Sequence, residues 1–147
     1  MWVLYNEGMK KICWIALLTL SFFLPVLGDD ATSQHAIDAW LSDCLEKDPS
    51  TTGVNACLGQ AFEKWDYELN RVYRELNGRL SAEAKAVLRE TQRAWIAFRD
   101  RELAFLARFY GGLDGTMYRN MLAADRVELV RRRAQELASF LDVLQQQ

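Results

Sequence analysis

The segment LGQAFEKWDYELNRVYREL, residues 58–76, sets the class of the fold. Its apolar side chains recur every three or four residues, which is the spacing of one face of an α-helix. The stripe predicts a long helix over residues 55–77 that buries one face and stops at Asn77-Gly78, because glycine tolerates a left-handed turn. The apolar positions are Leu58, Ala61, Phe62, Trp65, Leu69, Val72, Tyr73 and Leu76.

Segments on either side carry the same helical period. A short first helix is expected after a capping Ser33, and the turn-forming run DPSTTG at 48–53 breaks it. A third helix starts after Ser81 and ends at Gly111-Gly112. The expected inward positions are Ala36, Ile37, Trp40, Leu41 and Cys44 on the first helix, and Ala84, Val87, Leu88, Thr91, Trp95, Phe98, Phe105, Leu106 and Phe109 on the third.

A fourth helix begins at Asp114 or Thr116 and carries apolar residues through Leu144. The connections between the long helices are short, and a turn of about two to six residues cannot return the chain to the other end of a helix. Neighbouring helices must therefore pack antiparallel. Since strand patterns are nearly absent, the prediction is an all-α antiparallel bundle of three long helices with a short N-terminal helix attached.

Residues 1–28 match a secretory signal peptide. Two lysines follow Met9, an apolar run covers residues 12–24, and the small residue Gly28 precedes a polar stretch. The run is shorter than the roughly 20 residues of a membrane-spanning helix. We interpret Met9 as the true start and expect one mature domain, residues 29–147, in the periplasm or outside the cell. The alternative is an uncleaved anchor or a core helix.

Two cysteines remain in the predicted mature chain, Cys44 and Cys57. In an oxidising compartment they are expected to form a disulfide that staples the first helix to the second. A metal site needs more ligands than the chain offers, because His35 is the only histidine and neither cysteine lies in a CxxC pair. No metal or other cofactor is predicted.

Charge is distributed unevenly along the chain. Residues 29–68 hold nine acids against two lysines, whereas residues 71–133 hold fourteen bases against eight acids. An acidic surface attracts basic partners and repels nucleic acid. The run Arg131-Arg132-Arg133 is interpreted as a solvated helix face, so no nucleic-acid partner is predicted.

Polar side chains accompany the apolar faces of the second and third helices. They recur at helical spacing, so each set lies along one stripe. Because the two helices are expected to be neighbours, the two stripes are expected to meet. The stripes are Asp66, Asn70 and Tyr73 on the second helix, and Gln92, Trp95 and Arg99 on the third.

Arg99 is the costly member of this cluster, because a buried guanidinium must find a carboxylate and further acceptors. Asp66 is its first expected partner, with Asp100 and Glu102 behind it. Two interpretations stay open: a structural network that fixes helix register, and a ligand site.

These positions belong to a longer pattern that runs through most of the predicted mature chain. It is Cys44…Cys57, Asp66-x-x-Leu69-Asn70-x-x-Tyr73-x-x-Leu76, Leu88-x-x-x-Gln92-x-x-Trp95-x-x-Phe98-Arg99-Asp100, Gly111-Gly112 and Arg126. The pattern resembles the LprI-type lysozyme inhibitor N-terminal-like family, small secreted or envelope helical domains of bacteria, over about residues 40–141. The resemblance implies a helical domain that binds a protein, with a basic lysozyme as the expected partner.

The chain departs from that family at a second cysteine pair, which family members commonly carry. Leu103 occupies the neighbourhood of one partner, and Tyr118 or Met121 that of the other. The chain is therefore a divergent member that lacks the second bridge. Packing of Leu103 or Phe105 against the last helix is the expected replacement.

An inhibitor must block a cleft whose chemistry depends on two carboxylates, so a protruding loop is the natural plug. The best candidate is the segment YGGLDGTMY, residues 110–118, which combines three glycines with flanking aromatics. The alternative is a helix-to-helix turn with ordinary capping glycines. The candidate contact residues are Tyr110, Gly111, Gly112, Asp114, Thr116 and Tyr118.

No catalytic constellation is recognisable in the sequence. It offers a lone His35, no G-x-S-x-G motif and no unpaired reactive cysteine in the mature chain. Asp100 and Glu102 are two residues apart on a helix, so they point to different faces. We predict a non-enzyme, either a lysozyme inhibitor or an envelope binding or chaperone-like module, whose oligomeric state the sequence leaves open.

Overall fold

The computed structural model describes residues 35–146, which form four helices and no strand. The predicted all-α class is confirmed. The predicted signal peptide and Ser33 lie outside the described residues. The helices are α1 (Ala36–Lys47), α2 (Thr51–Arg79), α3 (Ala82–Gly111) and α4 (Met117–Gln145).

Side chains cap the first three helices. The Nδ1 atom of His35 accepts a hydrogen bond from the amide of Ile37, so His35 rather than Ser33 caps α1. Ser50 and Ser81 accept in the same way from amides three residues further on, as N-capping hydroxyls do. The fourth helix begins after Thr116, whose side chain makes no capping hydrogen bond.

The predicted stop at Asn77-Gly78 is wrong, because α2 continues to Arg79. Gly78 does not take the left-handed conformation that would end the helix there. Leu80 turns the chain in an extended conformation, and only Leu80 and Ser81 lie between α2 and α3.

Two side-chain pairs fix the relative direction of the three long helices. Asn55 of α2 hydrogen-bonds Asn120 of α4, so the starts of these two helices lie together and they run parallel. Tyr110, near the end of α3, hydrogen-bonds Asp125 near the start of α4, so α3 runs antiparallel to α4. The long helices therefore alternate in direction along the chain, as expected. The expected packing of α2 against α3 is wrong, because α2 packs mainly against α4, to which it is parallel.

The core lies between α2 and α4, and α1 covers one side of it. Trp65, Val72, Val130 and Leu137 are its largest fully buried side chains. The stripe that predicted α2 is the stripe that α2 buries, with Phe62 and Tyr73 packed at the margin. The buried apolar set is Cys57, Leu58, Ala61, Trp65, Leu69, Val72, Leu76, Val127, Leu129, Val130, Ala134, Leu137 and Leu141.

The predicted disulfide is present between Cys44 and Cys57, whose Cα atoms are 5.9 Å apart. It joins the C-terminal half of α1 to the first turns of α2. Asp38 ties the other half of α1 to α4, because its carboxylate accepts from Arg131 at 2.9 Å. This pairing raises the pKa of Arg131.

The inward face predicted for α3 is partly wrong. Leu88 and Trp95 pack against the core, as expected, but Val87, Phe98, Phe105 and Phe109 are exposed. The difference arises because α3 carries two neighbouring apolar stripes and packs mainly against α4, which covers only one of them. The only side chain of α3 that is fully buried is Gln92. Phe105 therefore does not replace the missing second bridge.

Candidate functional site

The predicted polar cluster does not form one buried site, and its outer part lies at the surface between α2 and α3. Arg99 donates to Asp100 at 2.8 Å, and its Nη1 atom is 3.7 Å from Asp66. Asn70 donates to the backbone oxygen and the carboxylate of Asp66, at 2.8 and 3.1 Å. The Arg99 side chain is 23% exposed, so it is a half-buried surface arginine.

The fully buried guanidinium belongs to Arg133, which is 7% exposed. Its Nε and Nη2 atoms donate to Oε1 of Gln92 at 3.1 and 3.0 Å, and its Nη1 atom donates to Glu136 at 2.8 Å. The expectation that Arg99 is the buried member is therefore wrong. So is the solvated interpretation of the third arginine in the basic run.

The sequence did hold a signal for Arg133. It follows Val130 by three residues and precedes Leu137 by four, so it falls on the apolar stripe of α4. Its two neighbours in the arginine run do not share that face. Three successive residues on a helix point in three directions, and of these three arginines only Arg133 is buried.

Trp95 links the two parts of the cluster. The guanidinium carbons of Arg99 and Arg133 lie 5.5 and 5.9 Å from the centre of its ring, which is the range of a cation–π contact. The arrangement connects α3 to α2 on one side and to α4 on the other. Its polar groups are engaged with one another, which favours the structural interpretation over a ligand site.

Tyr73 and Arg126 do not join this cluster. Tyr73 is half-buried beside the core. Arg126 lies over the ring of Phe62, 5.1 Å from its centre, on the surface between α2 and α4. The family pattern therefore marks positions that contact different helices rather than one site.

The predicted loop is a short, well-held connection between α3 and α4. The Tyr110 hydroxyl donates to Asp125 at 2.7 Å, and the hydrogen bond raises the pKa of Tyr110. The ring of Tyr118 stacks on that of Tyr110, with 6.4 Å between their centres. Gly115 has φ of 129°, a conformation that glycine alone adopts without strain. The loop is therefore preorganised.

Within this loop Tyr110 and Tyr118 hold the connection in place, whereas the side chains between them are exposed. Gly111 ends α3 and Gly112 caps it, as the alternative interpretation expected. Asp114 and Thr116 face solvent. Leu113 and Met117 are exposed as well, although the sequence analysis did not select them, and Met117 keeps 62% of its surface accessible.

Acidic side chains lie at the same end of the bundle as this loop. The Cys44–Cys57 bond holds the last turn of α1 near the start of α2, and α2 starts beside α4. Asp43, Glu46 and Asp48 are exposed there. The side chain and amide of Ser50 hydrogen-bond Asp48 and lower its pKa.

We define the loop end as residues 43–50 together with residues 109–117. It presents carboxylates from α1 and its turn, and apolar side chains from the α3–α4 loop. This combination is typical of a protein-binding surface rather than of a reaction centre. In the described part of the chain, no group of three or more His, Cys, Asp or Glu residues is placed to hold a metal ion. No helix among the same residues is both long and apolar enough to cross a membrane.

Comparisons with known proteins find that the chain is similar to a protein of one bacterium and to the solved structure of a protein from another. It is 27% identical over 113 residues to an uncharacterised protein of Rhizobium meliloti (strain 1021), covering 68% of this chain and 79% of the relative. Its fold matches the crystal structure of an uncharacterised protein from Burkholderia thailandensis with a TM-score of 0.71 and 32% identity. That match covers 76% of this chain but only 56% of the solved one.

The family described as "Lysozyme inhibitor LprI" matches residues 43–137. This span contains α2, which the disulfide joins to α1, together with both parts of the polar cluster and the α3–α4 loop. It agrees with the resemblance carried by the spaced motifs. The chain therefore belongs to the LprI lysozyme inhibitor family.

Proposed function

We propose that this protein binds and inhibits a lysozyme, and that the loop end is the surface that binds it. Family membership supports a lysozyme as the partner. The observation that carries the location is the combination, at one end of the bundle, of exposed acids with an exposed apolar loop.

The acids suit the partner's charge. Asp43, Glu46 and Asp48 are exposed within six residues, with only Lys47 among them, and Asp114 adds a carboxylate from the loop. Animal-type lysozymes are basic, so this surface attracts them over a distance comparable to the Debye length. Such steering raises the association rate at low salt more than it raises the final affinity.

The apolar loop suits the partner's cleft. Leu113 and Met117 are uncharged, and a cleft that contains two carboxylates tolerates an apolar plug better than an acidic one. The hydrogen bond from Tyr110 to Asp125 holds the loop before binding, which lowers the entropy cost of association. Inhibition then requires occupancy of the cleft and no chemical step by the inhibitor.

The proposal includes export, since a lysozyme meets its cell-wall substrate outside the cytoplasm. The predicted signal peptide over residues 1–28 supports this location. A periplasmic or secreted inhibitor protects the cell wall from lysozymes of a host or a competitor. The second candidate, an envelope binding or chaperone-like module, shares the location but not the partner.

The test is turbidimetric lysis of bacterial cell walls by a basic lysozyme. The full chain is expressed with its own leader, recovered from the periplasm and added at micromolar excess, at low and moderate salt. We expect inhibition that weakens as salt rises. Absence of inhibition at both salt concentrations would overturn the proposal in favour of a non-lysozyme partner.

Variants locate the contact. Leu113→Lys/Met117→Lys should weaken inhibition at least tenfold, because two lysines replace the apolar contacts of the plug. Val143→Lys is the matched control, since it makes the same kind of change at an exposed apolar residue near the far end of α4. If the loop variant inhibits as well as Val143→Lys does, the loop end is not the contact.

A further inference from the structure

The exposed face of α3 carries a second, regular stripe, of which the family pattern includes only Phe98. Its positions are separated alternately by four and three residues, which is the heptad spacing of helices that pack along each other. Every member is exposed although several are apolar. The stripe is Val87, Thr91, Ala94, Phe98, Arg101, Phe105 and Arg108.

A groove runs beside this stripe, between α3 and α4. One cavity of about 570 Å³ is lined by Val87, Thr91 and Phe140, and another of about 400 Å³ by Phe98 and Glu128. Arg133 and Glu136 line both, so the two cavities are parts of one groove.

We propose that a second copy of this chain covers the groove. Each copy lays its α3 along the groove of the other, so that two α3–α4 hairpins form an antiparallel four-helix arrangement about a twofold axis. The heptad spacing fits this occupant, because the same stripe meets itself in a twofold pair.

Charge favours a second copy. Arg101 and Arg108 lie on the stripe, and neither forms a salt bridge among the described residues. The lining of the two cavities is acidic on balance, because it contains five acids and two arginines: Glu83, Glu102, Asp125, Glu128 and Glu136, with Arg132 and Arg133. In an antiparallel contact centred between Ala94 and Arg101, Arg108 lies beside the other copy's Val87, in the part of the groove that Glu83 and Glu136 line. The twofold axis makes this contact twice.

The large apolar side chains beside the groove supply about half of the area that a stable dimer takes from each copy. Val87, Phe98, Phe105 and Phe140 each keep between 49% and 59% of their surface exposed. These four half-exposed side chains offer roughly 400 Å² of apolar surface, and the alanines and arginine stems along the α3 helix add to it. A standard interface takes about 800 Å² from each partner. An α3 of 30 residues is about 45 Å long, which is sufficient for such a strip.

This arrangement leaves the loop end free. Because the two α3 helices run antiparallel, the two loop ends lie at opposite ends of the dimer. The dimer therefore does not depend on the proposed lysozyme binding, and one dimer has room for two lysozymes.

The test is the mass of the periplasmic protein in solution, measured by light scattering during gel filtration and by sedimentation at about 10–100 µM. We expect twice the mass of one chain for the wild type and the mass of one chain for Phe98→Glu/Phe105→Glu. Both proteins should show the same helical circular dichroism and the same inhibition of lysozyme per chain.

Tyr67→Glu is the matched control, because Tyr67 is an exposed aromatic on α2 outside the groove. It should remain a dimer. A monomeric wild type at 100 µM would overturn the proposal. A monomer whose groove is occupied by its own residues 12–24 would overturn it as well. Dimers that survive the Phe98/Phe105 change, or that dissociate equally in Tyr67→Glu, would overturn it too.

Discussion

Replacing Gln92 by leucine is expected to destabilise the domain more than removing the arginine that Gln92 serves. The Gln92 carbonyl accepts from Nε and Nη2 of Arg133 at 3.1 and 3.0 Å, in a place where both side chains are buried. Leucine keeps most of the volume but leaves two donors of a cation without an acceptor. A hydrogen bond to a charged group contributes about 1.5–3 kcal/mol. Because Nη1 keeps its hydrogen bond to Glu136, we expect the free energy of unfolding to fall by about 3 kcal/mol.

The opposite change leaves a smaller defect. Arg133→Met removes the buried cation and orphans only the neutral amide of Gln92, which costs about 1–3 kcal/mol. Glu136 then returns to solvent, since its side chain is 54% exposed. The double variant Gln92→Leu/Arg133→Met leaves neither a cation nor an orphaned amide, so it should be more stable than Gln92→Leu alone.

Urea unfolding followed by circular dichroism, with the disulfide intact, measures all four members of this cycle. The coupling between the two changes should be about 1–3 kcal/mol and favour the double variant. Arg132→Met is the matched control, because Arg132 is exposed and should change the free energy of unfolding by no more than about 0.5 kcal/mol. Strictly additive effects, or a Gln92→Leu protein as stable as the Arg132 control, would refute the buried pairing.

Three further predictions concern other parts of the bundle. Replacing Cys44 and Cys57 by serine should lower the free energy of unfolding by about 3 kcal/mol, measured against the same protein with the disulfide intact. The Arg71 hydrogen bond lowers the pKa of Glu68 below its usual 4.5, so the stability it contributes is present above that pH and is lost as pH falls. Glu68→Gln should therefore flatten the fall of stability on acidification, and an unchanged slope would contradict the pairing. Gly115→Ala should destabilise the α3–α4 loop by about 1 kcal/mol because of its positive φ, whereas Gly59→Ala, with open space around it, should not.

The course of α2 was predictable because one wide stripe was sufficient to define it. The residues that repeat at three and four between Leu58 and Leu76 are those that the fold buries against α4. Ser81 was predictable as a cap, since a hydroxyl before a helical pattern has one common use. The cap of α1 was missed because the imidazole of His35 took the role expected of Ser33.

The faces of α3 were not predictable in the same way. Periodicity identifies an amphipathic helix, but Leu88 and Val87 are both apolar and lie on adjacent faces, so the pattern cannot say which one meets α4. The buried arginine was misplaced for a related reason. Arg99 lies in a conspicuous motif, whereas Arg133 lies in a run of arginines that looks solvated, and only the packing of α3 on α4 distinguishes them.

The most direct test of the central claim is hydrogen–deuterium exchange of the periplasmic protein with and without a saturating basic lysozyme. If the loop end is the inhibitory surface, the amides of residues 43–50 and 109–117 should become protected while those of the α2–α3 turn and the end of α4 stay unchanged. Protection confined to the groove face of α3, or no change anywhere in the chain, would contradict the proposed mode of inhibition.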